Sequence, residues 1–254
     1  MLISVINHTS GKLSDEQVQE ALRVINRQIK EDFEPYWSMG ATLRLEGKTT
    51  KPDQVKNQDL RGDAIIYLWD QVDVDDALGY HDRNFRGIPY SFVFYELTKK
   101  LGESWTITLS HEALEMIADP EVNLLAAGPH PKNPNREVLY WYEVCDAVQG
   151  DTYLIDGVEV SNFVLPLYFT SGDEYKGRND FLGKKYGSKT LTSFGVNPGG
   201  YMGYIDPATG KTDQIFGSKE AKQRFKIKEA AGQARRAARY LSIVKRKVHG
   251  KKPK

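Results

Sequence analysis

The chain has 254 residues, 40% of them hydrophobic, and its 35 Lys and Arg nearly balance its 34 Asp and Glu for a net charge of +1. That length buries one good core, or a core with a small appendage, and the composition is that of an ordinary globular protein. No apolar run approaches the roughly 18 residues of a membrane span, and a single cysteine, Cys145, excludes both an internal disulfide framework and a cysteine-based zinc knuckle.

The N-terminal Met1-Leu-Ile-Ser-Val-Ile lacks the basic region and cleavage site of a signal peptide. It reads as a first strand, Leu2–Asn7. A cytoplasmic protein is therefore expected, with leaderless export as the alternative. Ser14-Asp-Glu-Gln17 has the pattern of a capping box. Val18, Leu22, Ile25 and Ile29, with Ala21, then recur at helical spacing to about Phe33, and Pro35-Tyr-Trp closes the helix. Ala41–Glu46 alternates as a strand, and 48–61 is a polar connection. The apolar run Asp63–Asp70 predicts a central strand. A loop through His81 leads to a strand over Tyr90–Glu96, and a helix bearing His111 ends before Pro120.

The Pro- and Asn-rich stretch 121–136 predicts a loop, and 138–148 and 152–164 predict extended chain. Gly172–Thr212 is Gly-rich and weakly periodic, an irregular extension. Lys219–Lys247 predicts helix, interrupted at Gly232. The order of elements implies an α/β (α+β) layer with two helices backing one sheet. We divide the chain into a core (1–170), an extension (171–217) and a basic tail (218–254). The tail holds 14 of the Lys and Arg against 2 Glu, about +12, so the body before it carries about −11.

The chemistry concentrates at His111-Glu112-Ala113-Leu114-Glu115, followed by Asp119. At about 100° per residue, Glu115, Asp119 and Glu112 fall at about 40°, 80° and 100° from His111. One helix face thus collects an imidazole and three carboxylates, and the other is core. The competing reading is a solvated acidic helix face.

With the elements from Leu2 to Ala118, His111-Glu112-x-x-Glu115 resembles the zincin metallopeptidases. Their core is a twisted sheet with a backing helix, an edge strand over the cleft and an active-site helix bearing His-Glu-x-x-His. The resemblance spans about the first half of the chain as topology and five residues as motif. It implies a twisted mixed sheet, a zinc ion, a peptide or protein substrate, and Glu112 as the general base that takes a proton from water and passes it to the leaving amine. His111 and Glu115 would be ligands.

Glu115 replaces the second His of the pattern, and side chains at i and i+4 share a face, so a carboxylate can serve there. Zinc accepts carboxylate oxygen, but an oxygen-rich set also admits Mn²⁺, Fe²⁺ or Ca²⁺. A third ligand is expected from Trp141–Asp146. Read as extended chain, Glu143 and Cys145 share one face, and Tyr142 and Asp146 the other. Glu143 is the favoured ligand and Asp146 the alternative. Cys145 suits zinc chemically but is the less familiar neighbour for water-activating carboxylates. His81 and His130 are reserves.

Tyr140, Tyr142 or His81 could polarise an oxyanion, and Asp119 could orient His111 or close the helix. A peptide could add as a strand along Tyr90–Glu96. The alternative function is a non-catalytic binding or structural protein whose tail docks a protein partner, or a nucleic acid or other polyanion through Arg235, Arg236, Arg239 and 245–247.

Overall fold

The computed structural model describes residues 1–46, 62–70, 88–170 and 178–230. Ser14 starts the first helix as its sequence predicts. Its Oγ accepts from the Gln17 N–H at 3.2 Å, and the Gln17 side chain accepts from the Ser14 N–H at 2.8 Å. Helix α1 (Asp15–Arg27) widens into a π-helical turn over Gln28–Phe33 and continues as α2 (Glu34–Trp37). Pro35 lies in the first turn of α2, where its missing N–H is tolerated, and the helical run closes after Trp37 because Ser38 takes the left-handed conformation (φ 53°).

Strand β1 (Leu2–His8) is joined by β2 (Thr42–Leu45), β3 (Ala64–Trp69) and β4 (Tyr90–Phe94) in the order β2-β1-β3-β4. A mixed sheet was the expectation, yet every described pair is parallel. The long connections between these strands permit the crossovers that parallel pairing requires. Ile3, Val5, Leu43, Ala64, Ile66, Leu68 and Val93 alternate onto one face and are buried in the core with α1 and with α4 (Trp105–Ala118). The strand expected to reach Glu96 stops at Phe94. Helix α3 (Tyr95–Lys100) follows, with Glu96 in its first turn and Lys99 and Lys100 in its last, signs that suit the helix dipole.

The stretch 121–136, expected as a loop, supplies most of a hairpin, β5 (Leu125–His130) with β6 (Asn133–Trp141). Pro129 is accommodated because β5 is the edge of its sheet. The extension is not irregular throughout. It ends in β9 (Tyr201–Asp206), which pairs with β6, and β10 (Lys211–Phe216) completes the antiparallel sheet β10-β9-β6-β5. Between β6 and β9 in sequence lies the hairpin β7 (Thr152–Ile155) and β8 (Val158–Ser161).

That hairpin is tied to both helical layers. The Ser161 N–H donates to Ser110 Oγ on α4 at 2.7 Å, and Gln28 Nε2 in the π-helical turn donates to the Ser161 carbonyl at 2.8 Å. Trp37 Nε1 donates to the Val164 carbonyl at 3.0 Å.

The start of the basic tail forms α5 (Lys219–Ala230) and packs on the body. The Phe225 ring lies 4.5 Å from that of Tyr201, and Arg224 pairs with Glu103. The rest of the tail, with Gly232 and the Arg235–Lys247 cations, lies outside the described residues, as do the connection over 48–61 and the loop around His81. Among the described residues no helix is long and apolar enough to cross a membrane.

Gly200, just before β9, backs the turn over 146–148. A Cβ there would lie 2.1 Å from the Ala147 carbonyl oxygen. Gly200→Ala must push that turn aside, with an expected loss of about 1–3 kcal/mol in urea denaturation. An unchanged unfolding midpoint would show that the packing is not this tight.

Candidate metal centre

Helix α4 begins at Ser104, whose Oγ accepts from the Thr106 N–H, and ends at Asp119 before Pro120. The sequence separates a ligand face from a core face, but every residue from Thr108 to Ala118 is buried. His111 is 8% exposed, Glu112 2% and Glu115 3%. The ligand face is therefore interior as well. Its cover comes from two directions. Ser91 on β4 donates its hydroxyl to Glu112 Oε2 at 2.7 Å, and the chain leaving β6 folds over His111 and Glu115.

That second segment differs from its expected form. Strand β6 stops at Trp141, Cys145 takes helical backbone angles (φ −110°, ψ −24°), and Asp146–Val148 make a 3₁₀ turn. Strand alternation therefore does not govern 142–146. Cys145 and Asp146, expected on opposite faces, both reach the His111 cluster. His111 Nε2 lies 3.2 Å from Glu115 Oε1 and 3.4 Å from Asp146 Oδ1. The Cys145 N–H donates to Glu115 Oε1 at 3.3 Å. One ligand atom each from His111, Glu115 and Cys145 fall within 4.8 Å of one another.

These separations fit a metal. Tetrahedral zinc with bonds of about 2.0–2.3 Å sets its donors about 3.3–3.7 Å apart, close to the two distances at His111. The 4.8 Å limit needs a contraction of only about an ångström. Glu143 is buried in the same segment at 2% exposure. The ligand atoms brought together here belong to His111, Glu115 and Cys145, the donor that sequence reasoning ranked behind it.

Electrostatics follow from burial. Desolvation opposes a charged His111, but Glu115 and Asp146 outweigh it and hold the imidazole well above its ordinary 6.5. Burial pushes the Cys145 thiol well up, and the carboxylates of Glu115 and Asp146 push it further.

The remaining sequence candidates are dispersed. Asp119 closes the helix, accepting the N–H groups of Asn123 and Leu124 at 3.1 and 3.0 Å. Tyr140 donates its hydroxyl to the Pro129 carbonyl at 2.7 Å within the antiparallel sheet. Tyr142 stacks on Phe169 at 4.2 Å, and burial, then the nearby Asp119, raises its pKa. His130 accepts the Lys132 N–H at the β5–β6 turn. His81 lies outside the described residues. Ser91, the hydroxyl on Glu112, was not among the candidates, because no motif marks a single serine in an apolar strand.

Compared with known proteins, the chain matches no family model, no curated protein and no solved structure.

A raised folded-state pKa stabilises the fold fully below the unfolded value of about 6.5, and that contribution is lost as pH rises through the folded value. Chelator-treated protein should therefore lose thermal stability from neutral to alkaline pH. His111→Gln should remove that part of the slope. A wild-type melting temperature flat over this range would contradict the assignment of His111 as the charged partner of Glu115 and Asp146.

Proposed function

We propose that the protein is a divalent-metal hydrolase, a divergent zincin-like peptidase, whose metal is held between α4 and the segment after β6. The observation that carries this reading is the buried convergence of His111, Glu115 and Cys145 ligand atoms, with Glu112 adjacent in sequence on the same helix. His111 and Glu115 hold the metal, with a third donor from 143–146. Zinc is the metal that such a set favours, with Mn²⁺ as the alternative.

The metal supplies Lewis acidity, polarising a carbonyl and acidifying water. Glu112 takes the proton of the attacking water and delivers it to the leaving amine. Ser91 holds one oxygen of that carboxylate and so fixes its orientation. Strand β4, which ends the parallel sheet, is the edge along which a peptide would align as an added strand.

One observation favours a second reading. Asp146 Oδ1, 3.4 Å from His111 Nε2, offers a fourth ligand, and a closed four-ligand set is the mark of a structural metal. The metal would then staple α4 to the segment after β6, with no turnover.

Elemental analysis of zinc-reconstituted protein, with cleavage of a mixed peptide library, tests both readings. Wild type should carry near-stoichiometric zinc, lost in His111→Ala and Glu115→Ala. Glu112→Gln should keep zinc and fold but lose about 10²–10⁴-fold in rate. Cleavage that survives Glu112→Gln overturns the catalytic assignment. Zinc that raises the melting temperature without any cleavage selects the structural reading.

A further inference from the structure

We infer that Cys145 Sγ is the third protein ligand, so that the centre is a mixed imidazole–carboxylate–thiolate site built for zinc-like ions and not for Ca²⁺ or Mg²⁺. The inference rests on the metal site proposed above and deepens it by assigning one donor and the class of cation.

The argument begins with the backbone. Once β6 ends at Trp141, the Cys145 N–H is fastened to Glu115 Oε1 at 3.3 Å. Glu115 Oε1 also lies 3.2 Å from His111 Nε2. The residue bearing the thiol is thus anchored to a ligand of the site, and its sulfur falls within 4.8 Å of the His111 and Glu115 donors.

The thiol also lies within hydrogen-bonding reach of the Ser161 side chain, a neutral group with which a bound metal would compete. Cys145 is fully buried and is the only cysteine of the chain, so neither a disulfide nor an exposed nucleophile explains it. A small buried hydrophobe is the ordinary role of a free cysteine. Cys145 belongs to the hydrophobic core, yet its sulfur also lies beside an imidazole and the carboxylates of Glu115 and Asp146, groups that gather cations.

Binding is a simple exchange. The sulfur–metal bond forms as the thiol releases its proton to solvent, with no change of oxidation state. The consequence is selectivity. Thiolate ligands favour zinc-like ions, whereas Ca²⁺ and Mg²⁺ take oxygen donors.

Cobalt(II) titration of the metal-free full-length protein reads the donor directly, because a bound thiolate gives a sulfur-to-cobalt charge-transfer band in the near ultraviolet and oxygen donors give none. We expect that band in wild type and in Glu143→Gln, its displacement by equimolar zinc, and its persistence in excess Ca²⁺ or Mg²⁺. Cys145→Ser should lose the band and bind at least about tenfold more weakly, since even outer-shell partners change affinity by 10–100-fold. The wild-type spectrum decides the matter even if Cys145→Ser fails to fold. Cobalt bound without the band would overturn the thiolate ligand while leaving the metal hydrolase intact. Failure to bind cobalt or zinc at all would overturn both.

Discussion

The structure is organised around the problem of burying charge on α4. A helix with an imidazole and two carboxylates in one short stretch would ordinarily turn that face to water, yet His111, Glu112 and Glu115 are all interior. Carboxylates removed from water cost several kcal/mol each unless they are paired and hydrogen-bonded. Here each finds partners from a different part of the chain. Glu112 takes the Ser91 hydroxyl, Glu115 takes the Cys145 N–H and faces His111, and Asp146 comes to the same imidazole nitrogen. Two carboxylates thus face the single imidazole of His111.

The rest of the fold supplies the walls of that compartment. The parallel sheet buries one face against α1 and α4, and β4 brings Ser91 onto Glu112. The antiparallel sheet fixes where β6 ends, and hence where the segment bearing Cys145 and Asp146 begins. Strand β8 links the layers, held to α4 through Ser110 and to the π-helical turn through Gln28. A π-helical turn is an uncommon device and is frequently found near functional sites. In this chain it aims Gln28 at the strand that backs α4.

The acidic body and basic tail are partly reconciled by contact. Helix α5 lays Phe225 on the aromatic side chains of β9 and β10 and pairs Arg224 with Glu103. Some of the tail's charge thus belongs to the fold of the body.

The local elements were legible in the sequence because their causes are local. The Ser14–Gln17 capping box, the helical spacing of Val18, Leu22 and Ile25, the apolar run of β3 and the stop at Asp119-Pro120 all act within a few residues. His111 and Glu115 could be paired in advance because one helical turn separates them. Cys145 and Asp146 could not, because strand alternation extrapolated past Trp141 assigned them to opposite faces. The contact of Ser91 with Glu112 was equally hidden, since a parallel strand and a helix 21 residues apart in sequence carry no shared pattern. The sequence by itself determined the helix and the charged residues that share one of its faces. Only the tertiary structure decided that this face is buried and which polar groups meet it there, because those groups arrive through a turn whose course is set by sheet pairing and burial far along the chain.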